Sequence, residues 1–259
     1  MPGTRSRSPV VFITGAGSGL GRALAQLYGQ RGARLGLLGR RAAPLQEIAA
    51  QYDALALIAD VRDAQAVQAA ARAFIEQVGL PDIVIGSAGI SVGTLTEHAE
   101  DLPVFQAVMN ANLMGLVHTF HPFIQGMSER GSGTLCGIAS VAGLRGLAGG
   151  GAYSASKAAV RVYLESLRLE LRSMGIAVVT VAPGYIDTPM TQVNAYSMPF
   201  RMTAESAARK VARAIRLHRR YIVIPWQMSL GARILKHMPG WIYDRLFENA
   251  KRKPRGLPT

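Results

Sequence analysis

The chain is 259 residues long and 49% apolar, with 28 glycines, one cysteine and a formal net charge of +13. This composition excludes a disordered or fibrous chain and a disulfide scaffold, and no apolar run approaches the roughly 18 residues of a membrane-spanning helix. The charge is lopsided: residues 209–259 carry +11 while the rest nearly balances, so an anionic membrane surface, an acidic carrier protein or a phosphorylated substrate would meet the C-terminal fifth. No nucleic-acid-binding motif accompanies that charge, and nucleic acid is not expected as a partner.

In chain order, Met1 to Pro9 is basic through Arg5 and Arg7 and runs into an apolar stretch, Val10 to Ile13, that is too short for a signal-peptide core. A cytoplasmic location is therefore expected. Short apolar runs follow at Val10 to Thr14, Leu35 to Leu38, Leu55 to Ala59, Ile83 to Ser87, Thr134 to Ala139, Ile176 to Ala182 and Tyr221 to Pro225. Between them, helical patterns include Leu20 to Arg31, Ala64 to Val78, Leu102 to Gln125, Ala152 to Met174 and Ala204 to Arg216, with Asp63 and Thr203 as N-caps. Strands alternating with helices predict an α/β, Rossmann-type, doubly wound, mostly parallel seven-stranded sheet with helices on both faces. Ligands of such sheets sit beyond the C-terminal strand ends. One domain over residues 1–259 is expected, with a core at 8–225 and a basic, aromatic-rich helical extension at 226–259. Cys136, between Leu135 and Ile138, reads as a buried strand thiol.

After the first strand, Gly15-x-x-x-Gly19-x-Gly21, with Ser18 and Leu20 inside it, opens a helix. Glycines let backbone approach a pyrophosphate, and the helix start offers free N–H groups and a positive dipole end. Where NAD-specific folds commonly place an acid, after the second strand, this chain has Arg40 and Arg41. Arginine can pair with a 2′-phosphate that a carboxylate would repel. NADP(H) is favoured, with NAD(H) the alternative. Asp60-Val61, after the third strand, suits an adenine contact or a helix cap.

Tyr153 and Lys157 lie one helical turn apart, and Ser140 precedes the tyrosine by thirteen residues. A carbonyl that receives a hydride becomes an alkoxide, which needs a proton donor and a charge stabiliser. Tyr153 can donate the proton, Lys157 favours the tyrosinate by its charge, and Ser140 can hydrogen-bond the substrate oxygen.

The ordered set of the glycine loop, Asp60, Ala88-Gly89, Asn112, Ser140, Tyr153-x-x-x-Lys157, Pro183-Gly184 and Thr188 resembles the short-chain dehydrogenase/reductase superfamily over residues 8–225. The resemblance implies that Asn112 supports a water-linked proton relay and that Lys157 also binds the nicotinamide ribose. It implies too that Pro183, Gly184, Ile186 and Thr188 hold the carboxamide, and that the chain forms a dimer or tetramer. No metal is expected. The chain departs from the family where Asn-Asn-Ala-Gly commonly follows the fourth strand: it reads Gly86-Ser87-Ala88-Gly89, which leaves Ser87 as the small polar group facing the cofactor.

Met190, Tyr196, Met198 and Phe200 fall where the family has its substrate lid, and they suit an apolar pocket. Arg145 is placed to meet an anionic group or to be solvated. The extension beyond Trp226 interleaves apolar and basic residues, which suits a cleft cap, a subunit interface or a peripheral contact with an anionic membrane. The expectation is an NADP(H)-dependent carbonyl reductase for a sizeable apolar ketone or aldehyde. An NAD-dependent alcohol dehydrogenase and a non-catalytic dinucleotide-binding or membrane-surface protein are the alternatives.

Overall fold

The computed structural model describes residues 8–194, 197–248 and 252–256. In chain order the elements are β1 (Val10–Thr14), α1 (Gly19–Gln30), β2 (Arg34–Gly39), α2 (Ala42–Ala49), β3 (Ala54–Ile58), α3 (Ala64–Gln77) and β4 (Ile83–Gly86). There follow α4 (Asp101–Met109), a π-helical turn (Asn110–Met114), α5 (Gly115–Arg130), β5 (Gly133–Ile138), α6 (Gly151–Glu170) and β6 (Ile176–Pro183). The rest comprises β7 (Ile186–Asp187), α7 (Pro189–Gln192), β8 (Met202–Thr203), α8 (Ala204–Arg216), β9 (Tyr221–Ile224), α9 (Trp226–His237) and α10 (Gly240–Phe247).

Seven strands pair in the order β3-β2-β1-β4-β5-β6-β9, all parallel. Because successive side chains on a strand face opposite sides, β1 sends Val11 and Ile13 into a core shared with α1, α2 and α8. Its Val10 and Phe12 enter the other core, with α3, α5 and α6. Phe12 lies fully buried between Phe74 and Phe123, with ring centroids 5.2 and 4.8 Å away. Burying such a side chain contributes about 1.5–3 kcal/mol. The sheet is thus covered on both faces, as expected.

The predicted elements agree with the observed ones to within a few residues at their ends, and both N-caps form. Asp63 accepts from the N–H groups of Gln65 and Ala66, and Thr203 from that of Ser206. Not in the sequence-based reading are the short helices α2 and α7, the two-residue parallel pair β7-β8, and the π turn that joins α4 to α5. From β3 the chain returns to lay β4 on the far side of β1, so the loops after β1 and β4 diverge. A crevice opens at this reversal.

Candidate active site

The loop after β1 is built for close backbone approach. Gly15 and Gly19 have φ of 69° and 52°, where a side chain is strained. A Cβ at Gly15 would lie 2.8 Å from the backbone of Ala88, and one at Gly21 would overlap the Gly15 carbonyl oxygen. Helix α1 starts with Ser18 as an extended N-cap whose side chain makes no capping bond, and there is no acid in its first turn. Its first N–H groups and dipole therefore remain available to an anion. Gly15, Ser18, Gly19, Leu20 and Gly21 line one wall of a cleft, and Ser87, Ala88 and Gly89 another. Pro183, Gly184, Ile186 and Thr188 line it from beyond β6, together with Ser140, Tyr153 and Lys157. This glycine cradle fits a dinucleotide.

Arg40, Arg41, Asp60 and Val61 lie outside that lining, at the ends of β2 and β3. Arg40 and Arg41 are exposed. Asp60 does not cap α3, which Asp63 does; its carboxylate takes the Arg62 guanidinium at 2.6 Å and the Arg62 N–H at 2.9 Å. Burial alone would raise the pKa of Asp60, but these bonds and the nearby charges of Arg62 and Arg40 hold it below the usual range. Val61 is buried, with its carbonyl 2.9 Å from His118 Nδ1.

The chemistry-bearing residues converge from three elements. Helix α6 stacks Tyr153 and Lys157 one turn apart, with Lys157 Nζ 5.8 Å from the Tyr153 ring centroid. Lys157 Nζ donates to the Ile138 carbonyl at the end of β5 at 2.8 Å. Ser140, two residues on, accepts from the Ala142 N–H at 3.1 Å and donates to the Pro183 carbonyl at 3.4 Å, with its hydroxyl close enough to the Tyr153 phenol to influence its titration. Burial pushes the Lys157 ammonium down to about 8. It also raises the Tyr153 phenol, an effect the neighbouring Ser140 hydroxyl partly opposes. Asn112 stands in the π turn and is almost fully buried. Its Oδ1 accepts from the Ile90 N–H at 2.8 Å, and its Nδ2 donates to the Ile90 carbonyl at 3.0 Å and to Ser156 Oγ at 2.9 Å. A Cβ on Gly89 would lie 2.8 Å from Asn112 Oδ1 and 3.7 Å from Lys157 Nζ, so all three share one close-packed corner.

Ser140 and Tyr153 also face a second cavity of about 390 Å³, walled mainly by apolar side chains, including Val92, Leu147, Met228, Leu235 and Phe247. Met190 borders both spaces. The other predicted pocket residues fare differently. Arg145 is committed elsewhere: it donates to the carbonyls of Leu235 and Met238 at 3.2 and 2.9 Å and lies 4.2 Å over the Tyr243 ring, tying down the end of α9. Phe200 is exposed and Met198 accepts a weak bond from Asn194, and neither lines the cavity. Tyr196 lies outside the described residues. Met228, Ala232 and Leu235 supply the wall instead, at i, i+4 and i+7 on α9, with Phe247 of α10 and Lys253 beyond it. Their helical spacing is the signal that could have revealed them. Cys136 is fully buried, its thiol pushed up to about 12. No group of three or more metal-binding side chains occurs among the described residues.

The sequence model of the short chain dehydrogenase family matches residues 9–197. An uncharacterized oxidoreductase of Myxococcus xanthus is 35% identical over 240 residues, covering 90% of this chain and 94% of that protein. An acetoacetyl-CoA reductase of Synechocystis is 34% identical over 182 residues, covering 70% of this chain and 73% of that protein. Among solved structures, levodione reductase superposes with a TM-score of 0.76 at 28% identity, covering 84% of this chain and 96% of that one. With the glycine cradle, the Ser140-Tyr153-Lys157 corner and a family match over most of its length, the chain belongs to the short-chain dehydrogenase/reductase family of oxidoreductases.

Proposed function

We propose that the protein is an NADP(H)-dependent carbonyl reductase acting on a ketone or aldehyde with a sizeable apolar body. The observation that carries this reading is the position of Ser140 and Tyr153, which border both the glycine-lined cleft and the apolar cavity. A carbonyl held in the cavity would have its oxygen within reach of both hydroxyls. The dinucleotide, when bound, supplies the hydride. Ser140 and Tyr153 then donate hydrogen bonds to the carbonyl oxygen and polarise it, and Tyr153 passes its proton to the developing alkoxide. Lys157 stabilises the tyrosinate left behind. Asn112 acts as a positioning residue that fixes the segment following β4 through Ile90. Gly15, Ser18, Gly19, Leu20, Gly21, Ser87, Ala88 and Gly89 would hold the phosphates and ribose, and Pro183, Gly184, Ile186 and Thr188 the nicotinamide end.

The preference for the phosphorylated cofactor rests on Arg40 beside the end of β2 and on Asp60, the nearby acid, whose carboxylate Arg62 already neutralises. The relatives named as reductases support the carbonyl reading. The protein is further read as a homo-oligomer whose self-contact covers Trp226, Leu230 and Ile234, an exposed stripe on α9. Light scattering reports its size, and liposome flotation that depends on residues 226–259 would point to a membrane instead.

Fluorescence titration with NADPH and NADH, followed by turnover of ketones graded by apolar size, tests the main reading. Tighter NADPH binding that Arg40→Asp reverses, with turnover rising with apolar size, is the expected result. Binding of neither cofactor would overturn it.

A further inference from the structure

The apolar cavity contains one cationic group, the ammonium of Lys253. Its Nζ donates to Ser91 Oγ at 2.8 Å and, at the long distance of 3.4 Å, to the Met190 carbonyl. Both partners are neutral, and among the described residues no carboxylate pairs with it. A half-buried ammonium without an anion is costly, because its desolvation is only partly offset by neutral acceptors. Burial accordingly draws its pKa down to about 8.

Lys253 is not needed to hold the tail in place. Two residues on, Arg255 pairs with the buried carboxylate of Asp101 at 2.7 Å and with Glu100 at 3.1 Å. Between them, the Pro254 carbonyl accepts from the Gly93 N–H at 2.9 Å. Gly93 has no Cβ, and one there would overlap the Lys253 carbonyl oxygen. The tail is therefore pinned immediately after Lys253, and the ammonium enters a space otherwise suited to hydrocarbon.

We infer that Lys253 is an anion-binding residue of the substrate cavity, and that the substrate is a carbonyl compound bearing a carboxylate separated from the carbonyl by an apolar segment. This rests on the reductase reading above. One ammonium in apolar surroundings matches a monoanionic carboxylate, whereas a phosphate dianion would leave a charge uncompensated.

The test compares a mid-chain oxo-alkanoate with its methyl ester, as substrates for the full chain with reduced dinucleotide, in the wild type, Lys253→Met and Lys253→Arg. The wild type is expected to favour the acid in kcat/KM by about tenfold or more, the magnitude of one charge-assisted hydrogen bond. Lys253→Met should abolish that preference and Lys253→Arg keep most of it. Equal kcat/KM for acid and ester in the wild type, or a preference untouched in Lys253→Met, overturns the inference.

A second readout separates this failure from failure of the reductase reading. Quenching of tryptophan fluorescence by decanoate and methyl decanoate measures binding without turnover. Decanoate binding that weakens about tenfold in Lys253→Met, with no carbonyl compound reduced, keeps the anion site and removes the reductase. Ketone turnover with no decanoate preference keeps the reductase and removes the anion site.

Discussion

Tyr153 and Lys157 undergo the same burial with opposite results. Desolvation disfavours the charged form of each, so the phenol is raised and the ammonium is lowered to about 8. Carbonyl reduction needs the phenol protonated and the lysine charged, and the first condition holds throughout the neutral range. The second is lost as pH rises through about 8, so kcat/KM for reduction should be level below that point and fall above it. A profile flat to pH 10 would remove Lys157 from the mechanism. The stability effect has its own sign. The folded pKa lies below the ordinary 10.5, so the unfolded chain binds the proton more strongly between the two values, and this site's burden on the fold is relieved as pH rises from 8 to 10.5. Tyr153→Phe should retain the fold by circular dichroism and lower kcat by about 10²- to 10⁴-fold, the usual contribution of a positioned proton donor. Cys136, with its buried thiol held far above its ordinary pKa, should resist alkylation by iodoacetamide at neutral pH until the chain unfolds.

Single elements hold the site through a few specific bonds. The π turn carrying Asn112 satisfies both backbone groups of Ile90 with one side chain, so Asn112→Ala would leave a partly buried N–H and carbonyl without these partners. Melting temperature and cofactor affinity should fall together in that variant, because Ile90 follows the Ser87-Ala88-Gly89 wall of the cleft. Asp63→Ala removes the two bonds that start α3 and should cost about 1 kcal/mol in denaturant unfolding, without altering cofactor affinity. At this scale the sequence was informative wherever a pattern repeats over a whole element. The strands alternate apolar side chains into two cores, and the long helices carry amphipathic faces and recognisable caps. Helix α2 escaped notice because it is eight residues long and buries only Leu45 and Ile48. The β7-β8 pair is two residues long and leaves no period to read. The π turn adds one residue to a helix that is otherwise continuous in pattern, and its identity depends on what Asn112 meets in three dimensions.

Across the whole molecule, the residues that meet in the Ser140-Tyr153-Lys157 corner could be read from type and order, but the walls of the apolar cavity could not. Its far wall comes from α9, α10 and the segment after them, whose path is fixed by pairs distant in sequence: Arg145 with the end of α9, Tyr243 with the Gly146 carbonyl at 2.6 Å, and Arg255 with Asp101. Because it follows Ser140, Arg145 suited either an anionic group or solvent, and only the course of α9 shows that it serves the wall. Arg255→Ala should raise KM for the substrate with little change in kcat or melting temperature, because it frees the tail without disturbing the sheet; a change confined to kcat would contradict this placement. None of Met228, Leu235, Phe247 and Lys253 borders the glycine-lined cleft. On the proposed reading, one wall of the cavity can vary on its own: substitutions after Ile224 would alter what fits there without touching the glycine-lined cleft, so the range of substrates could drift under selection without passing through an inactive intermediate.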